Sequence, residues 1–154
     1  MLSVGDMKGF PDLPPIWLVG FLLLNWIISR VIPGNPSAPV LVWVGWGLVG
    51  LGLVLIVWAA LWFWRKKTTI EPHHAPGTLI VEGPYRLSRN PIYLGMLVIL
   101  LGAVIGRGQP VALILVPLFF GVLTRRFVLP EEAGLKAAFG PEADRYLRAT
   151  RRWF

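Results

Sequence analysis

The sequence predicts an all-α, polytopic membrane protein with four transmembrane helices, the last two a short hairpin, followed by C-terminal helices on the cytosolic side. Three observations carry this. Of 154 residues, 55% are hydrophobic and 15% charged, with mean hydropathy +0.64; a soluble domain is nearer half apolar and a quarter charged. The apolar residues gather in four runs of span-like character, and the Lys and Arg residues stand almost entirely on one side of those runs. Fourteen prolines and 17 glycines resemble a disordered composition, but apolar content this high excludes a disordered chain. Cysteine is absent, which excludes disulfides, thiolate metal sites and cysteine nucleophiles. In so apolar a chain the net charge of +7 reads as membrane-edge charge and not as a nucleic-acid surface.

The first run is Pro14 to Ile32, about 28 Å as a helix and just enough for a hydrocarbon core of about 30 Å. Its length, and the Asp6 and Asp12 that precede or open it, argue against a cleavable leader. Mid-span Asn25 needs a partner, and an interhelical hydrogen bond is the expectation. The second run, Val40 to Trp64, reaches roughly 37 Å and must tilt or protrude; Trp43, Trp62 and Trp64 flank it as interfacial anchors. The third and fourth, Pro91 to Gly106 and Pro110 to Thr124, are joined only by Arg107-Gly108-Gln109. Together they form a tight helical hairpin. Pro117 should kink the fourth, which can continue towards Leu129. Gly95, Gly102 and Gly106 share a helical face, a signal for close packing within or between chains.

Orientation follows from the basic residues. Lys8, five between residues 65 and 90 and seven from residue 125 onward make 13 on one side, against Arg30 and Arg107 on the other. Both termini should therefore be cytoplasmic. The chain reads as one domain, 1–154, with two N-terminal spans in 1–64 and a loop, hairpin and tail in 65–154.

Chemistry must lie where polar groups collect, and two patches face the same side. The first is the connection from Thr68 to Gly95, ordered by Leu79-Ile80-Val81 and the turn Gly83-Pro84. Pro91 suits a first helical turn, so Asn90 stands near an N-cap where free N–H groups favour an anion. The second is the tail, where Pro130-Glu131-Glu132 opens a helix, Gly140-Pro141 stops it, and Glu142 to Arg151 forms a basic amphipathic helix. Both tail helices can simply rest on anionic headgroups. His73 and His74 are adjacent with no third ligand near, which disfavours a metal site. No phosphate-binding, dinucleotide, serine-elbow or zinc-protease motif is present.

Taken together, Gly83-Pro84-Tyr85-Arg86, Arg89-Asn90-Pro91-Ile92-Tyr93-Leu94-Gly95 and the tail Glu131-Glu132, Phe139-Gly140, Tyr146 and Arg152-Trp153 resemble the paired signatures of the isoprenylcysteine carboxyl methyltransferase and phospholipid methyltransferase superfamily. The resemblance covers about residues 76–154. It implies S-adenosylmethionine as methyl donor, leaving as S-adenosylhomocysteine, bound between the two patches in the 65–154 region. It further implies a lipophilic substrate, a prenylcysteine-like carboxylate or a lipid headgroup, entering from the membrane; it leaves the oligomeric state open. In that reading Gly83, Tyr85, Arg89, Asn90, Tyr93, Phe139 and Tyr146 are the cofactor-binding candidates, with Arg89 and the helix-start N–H groups on the carboxylate and the aromatic rings around adenine. Asn90 stands where the prenylcysteine enzymes have histidine, and Ala143 where a tyrosine is usual after Phe-Gly.

Arg126 and Glu132 are the catalytic candidates: Arg126 for an anionic substrate group, Glu132 to orient Arg126, the cofactor or an amine nucleophile, with a bend at Pro130 turning both over the membrane surface. The alternative is that Arg125 and Arg126 are positive-inside anchors. A carboxylate nucleophile is already ionised at neutral pH and needs a cation, whereas an ammonium headgroup needs a base such as Glu131 or Glu132. The sequence carries both sets. Competing functions are a non-catalytic membrane scaffold and a membrane reductase of related architecture, the latter disfavoured by the short chain and missing dinucleotide motif.

Overall fold

The computed structural model describes residues 12–32, 38–66 and 79–154, and within them every regular element is helical. Helix α1 is Pro14–Val31 and α2 is Pro39–Arg65, each opened by a proline at the first turn, where the missing N–H costs nothing. Gly83–Arg86 forms a 3-10 turn. Helix α3, Pro91–Arg107, ends on Gly108 in the left-handed conformation (φ +67°), whose N–H bonds back to Val104 and Ile105. Glycine takes that φ without penalty, which lets the chain reverse in three residues. A 3-10 turn at Pro110–Ile114, α4 at Leu115–Leu123, a π turn at Thr124–Val128 and α5 at Leu129–Phe139 then follow without interruption. Helix α6 is Pro141–Ala149.

All four apolar runs are thus helices. Three helical stretches, Pro14–Val31, Pro39–Arg65 and Pro110–Phe139, are long and apolar enough to cross a membrane, and Pro91–Arg107 is a shorter apolar helix. At 17 residues α3 is about 26 Å long, slightly less than the core. The stretch Pro110–Phe139 is about 45 Å, so its last ten or so residues, α5, project beyond a 30 Å layer. The outward faces are what lipid requires: Val19, Val54 and Trp43 are 64%, 65% and 76% exposed.

Helix α2 buries only three of its 27 residues, Gly45, Gly52 and Ala59. They recur every seven residues and form one stripe. Against it α3 sets Gly95 and Gly102. A Cβ on Gly52 would lie 2.5 Å from the Gly95 carbonyl oxygen, and one on Gly45 would lie 2.6 Å from that of Gly102. The two backbones therefore touch, antiparallel, along most of their length. The glycine face predicted for close packing is used within this chain.

On its other side α3 meets α1 and α4 through Met96, Leu100, Val104, Phe21, Phe119 and Leu123, with the Phe21 and Phe119 rings 5.0 Å apart. Here one expectation fails. Asn25 is 1% exposed, yet among the described residues neither its amide nitrogen nor its oxygen has a hydrogen-bond partner. The close apolar packing around α1 offers it no donor or acceptor, and an unsatisfied buried amide costs about 1–3 kcal/mol.

Two further corrections concern prolines. Pro117 falls in the first turn of α4, at the change from 3-10 to α winding. Pro130 does not break the helix. The π turn just before it takes up the fault: Leu129 N–H bonds Thr124 O, five residues back, where the proline after it cannot donate.

The seam gives a direct test. Gly52→Ala should destabilise the protein by about 1–3 kcal/mol through overpacking against backbone that cannot move aside. Gly134→Ala, in α5 with nothing within 4 Å of the new Cβ, should be neutral or gain up to about 1 kcal/mol. Thermal unfolding in detergent followed by far-UV circular dichroism checks both; equal midpoints would remove the seam as a constraint.

Candidate active site

The polar layer forms where the connection before α3 meets the tail. Gly83 opens the 3-10 turn at φ +59°, and a Cβ there would lie 2.2 Å from the Trp62 indole nitrogen. Glycine is needed twice over, for its φ and for the indole against it. Trp62 is therefore a pad for this turn, while Trp43 and Trp64 are well exposed. The turn drives Tyr85 inward, edge-on to Phe63 at 5.5 Å and against Ala59 and Ile80. The Tyr146 hydroxyl donates to the Tyr85 carbonyl at 3.0 Å. Burial pushes both phenols above their usual range, Tyr146 and Glu131 adding to the effect at Tyr85 and Arg89 opposing it at Tyr146, so both stay protonated donors.

Ser88, Arg89 and Asn90 are sewn to the tail by its backbone carbonyls. Arg89 donates its N–H to Arg151 O at 2.9 Å and its Nε to Thr150 O at 2.7 Å. Ser88 Oγ and Asn90 Nδ2 both donate to Arg152 O, at 3.3 and 3.0 Å. Asn90 does stand at the N-cap of α3 with Pro91 at N1, but its side chain turns to the tail instead of capping. Trp153 pins the end of the tail, 4.8 Å from the Phe120 ring.

Glu132 closes this assembly. It accepts from Arg89 Nη1 at 2.8 Å and from Arg152 Nε and Nη2, both at 2.8 Å. A carboxylate between two guanidiniums, one of them bidentate, is a strong charge-assisted arrangement. It also holds the Arg152 charge more firmly than usual, chiefly through those hydrogen bonds.

Glu131, next in the chain, behaves differently. It accepts a short hydrogen bond from the Tyr93 hydroxyl and has no ion pair among the described residues. Tyr93 is 8% exposed and lies 6.2 Å from the Phe127 ring. Arg126, in the π turn, pairs through Nε with Asp12 and lies over the Trp17 ring at 5.5 Å. The two catalytic candidates are thus paired separately, Glu132 with Arg89 and Arg152, Arg126 with Asp12.

A groove of about 580 Å³ runs beside α6, lined by Leu79, Val81, Arg86, Glu142, Arg145, Tyr146, Ala149 and Thr150. Of the cofactor-binding candidates, Tyr146 lines it. Tyr85 and Arg89 bond two residues that line it, Tyr146 and Thr150; Asn90 bonds Arg152 and Tyr93 bonds Glu131, Gly83 sits on Trp62, and Phe139 is half-buried at the end of α5. Ala143 is fully buried. His73 and His74 lie outside the described residues; among those described, no group of three His, Cys, Asp or Glu can hold a metal.

Sequence reading missed three contributors. Thr150, Arg151 and Arg152 hold the segment before α3 through their carbonyls, which carry no residue-type signal. Ser88 is a small hydroxyl between louder neighbours. Asp12 was legible as an acid just before the first span, but its partner Arg126 is 114 residues away.

Comparison with curated proteins gives no match, and comparison with solved structures gives none either. The model of one family, described as phospholipid methyltransferase, matches residues 40–142, about two thirds of the chain and spanning α2, the seam with α3, the Gly83–Arg86 turn and the paired glutamates of α5. The chain belongs to the phospholipid methyltransferase family, a family of membrane methyltransferases.

Proposed function

We propose that the protein transfers a methyl group from S-adenosylmethionine to the amine of a lipid headgroup at the cytosolic membrane face. The observation that carries this reading is the unlike treatment of two adjacent carboxylates. Glu132 is saturated by two guanidiniums and serves to hold Arg89 and the tail. Among the described residues Glu131 faces a phenol hydroxyl and no cation, so it is the one that can accept a proton. A carboxylate substrate would be repelled there; an ammonium headgroup would be drawn in. Asn90, where the prenylcysteine enzymes have histidine, agrees with this choice.

The residues present suit the cofactor. Arg86 and Arg145 against Glu142 fit the two charges of an amino-acid end, and Leu79, Val81 and Tyr146 fit a flat base, in a groove of the size that holds such ligands. When bound, the cofactor supplies an electrophilic methyl on a sulfonium. The protein's part is alignment and proton removal. Glu131 takes the proton of the headgroup ammonium, held in position by Tyr93. The headgroup nitrogen, so freed, would be the nucleophile for that methyl, and the protein would hold the two in line.

Incubation with methyl-labelled cofactor should mark an amino-phospholipid in a panel of lipids and prenyl thioethers. Label confined to a carboxylate would overturn the amine reading, and no label in any acceptor would overturn methyl transfer. Glu131→Gln should cut turnover by roughly 100-fold, the usual contribution of a positioned base, with S-adenosylhomocysteine affinity changed less.

Glu132→Gln should act instead through the fold. It removes the shared acceptor of two guanidiniums and should cost about 1–3 kcal/mol, kept at the modest end because Arg152 is partly solvated. Faster proteolysis of the tail, with a lower thermal midpoint, checks this; an unaltered tail would return Glu132 to a direct chemical role.

The 13-to-2 distribution of basic residues supports cytoplasmic termini. A reporter fused after Phe154 that works only in the cytoplasm should be active, and activity of an exported reporter at the same site would reverse the orientation.

A further inference from the structure

Arg126 is held in an unusual way for a membrane-edge anchor. Only its Nε edge is engaged, by Asp12, and Trp17 covers one face of the guanidinium. Nη1 and Nη2 make no hydrogen bond or ion pair among the described residues. An anchor needs only charge and is commonly left mobile in the headgroup layer. Here an acid just before α1 and an indole in its first turn fix the plane of the fork and leave its outer edge open. The side chain is 32% exposed, so that edge can be reached.

We propose that Asp12 and Trp17 are positioning residues that aim Arg126 as an oxyanion receptor for the phosphodiester of the lipid substrate. This rests on the amine-lipid reading above. The open Nη1/Nη2 edge matches two phosphate oxygens in a bidentate pair, which a lysine cannot copy. Depth along the helix agrees. Arg126 precedes Glu131 by five residues, about 7 Å nearer the membrane interior. An amino-phospholipid presents its groups in that order, phosphate next to the glycerol and nitrogen at the tip, so one headgroup can meet Arg126 and Glu131 together. Arg126 is paired with Asp12 through Nε, so its preference for an oxyanion would come from the fixed geometry of the fork and not from charge alone.

The experiment compares a short-chain phosphatidylethanolamine with an alkylamine of equal chain length and no phosphate. Both binding, by equilibrium dialysis against the detergent-solubilised protein, and the ratio of their KM values for methyl transfer are measured. In the wild type the phospholipid should be preferred. Asp12→Asn and Arg126→Lys should each shrink that preference about tenfold, the loss of one charge-assisted hydrogen bond. Lys136→Gln, which removes an exposed charge elsewhere on α5, should keep it. Thermal midpoints of the variants separate loss of fold from loss of selectivity. An undiminished preference in folded Asp12→Asn and Arg126→Lys, or equal weakening of both ligands, would overturn the proposal and make the pair a simple tether. Selective binding without methyl transfer would sustain the receptor and overturn the chemistry; methyl transfer with undiminished preference would do the reverse.

Discussion

Contact between the backbones of α2 and α3 is the constraint on which the rest depends. In a bilayer, apolar side chains gain nothing by leaving lipid for protein, so two helices stay together through close packing. Small residues at 45, 52 and 59 against 95 and 102 let the main chains meet, with a carbonyl oxygen 2.5 Å from where a Cβ would be. The same stripe ends at Ala59, where Tyr85 and Ile80 continue the packing beyond α3. The turn carrying the first motif is thereby seated on the end of α2, and the start of α3 is fixed beneath the tail.

On that base the polar layer divides its labour by charge balance. Arg89 and Arg152 need a common acceptor, and Glu132 supplies it. The motif segment before α3 and the last residues of the chain become one unit. Glu131, one residue earlier, accepts a hydrogen bond from the Tyr93 phenol instead. Arg126, about one helical turn earlier, is paired with Asp12 just before α1. Three charged residues of a single helix thus serve three different partners, and each partner arrives on a different segment.

Much of this was legible in the sequence. Four apolar runs gave the helices because a run of that length can satisfy its backbone in lipid only by coiling. Pro91, Gly108 and Gly140-Pro141 punctuated them for steric reasons that hold in any surroundings. The meeting of the two motif segments followed from their resemblance to a known pair of signatures, and the match of the phospholipid methyltransferase family over residues 40–142 agrees with it. What could not be read was partner choice. Arg89 looked available for a ligand carboxylate, but tail carbonyls and Glu132 take it first. Asn25 called for a hydrogen bond that its neighbours do not provide, because composition states a need and not what packs against it. Pro130 suggested a break, since local rules forbid an α-helical hydrogen bond there and say nothing of a wider turn.

That wider turn changes how the helix must be counted. A π turn accommodates one residue more than an α turn, and one residue is about 100° of rotation. Upstream of Thr124 the helix presents its faces in one phase; downstream of Val128 it presents them in another. Glu131 and Glu132 therefore face Tyr93 and Arg89 from a phase that the apolar stripe of α4 would not assign to them. A helical wheel drawn straight through Pro110–Phe139 misplaces every residue of α5. The single-residue insertion at Thr124–Val128 is thus a gear between two surfaces, one cut to fit lipid and hydrocarbon side chains, the other to fit charge.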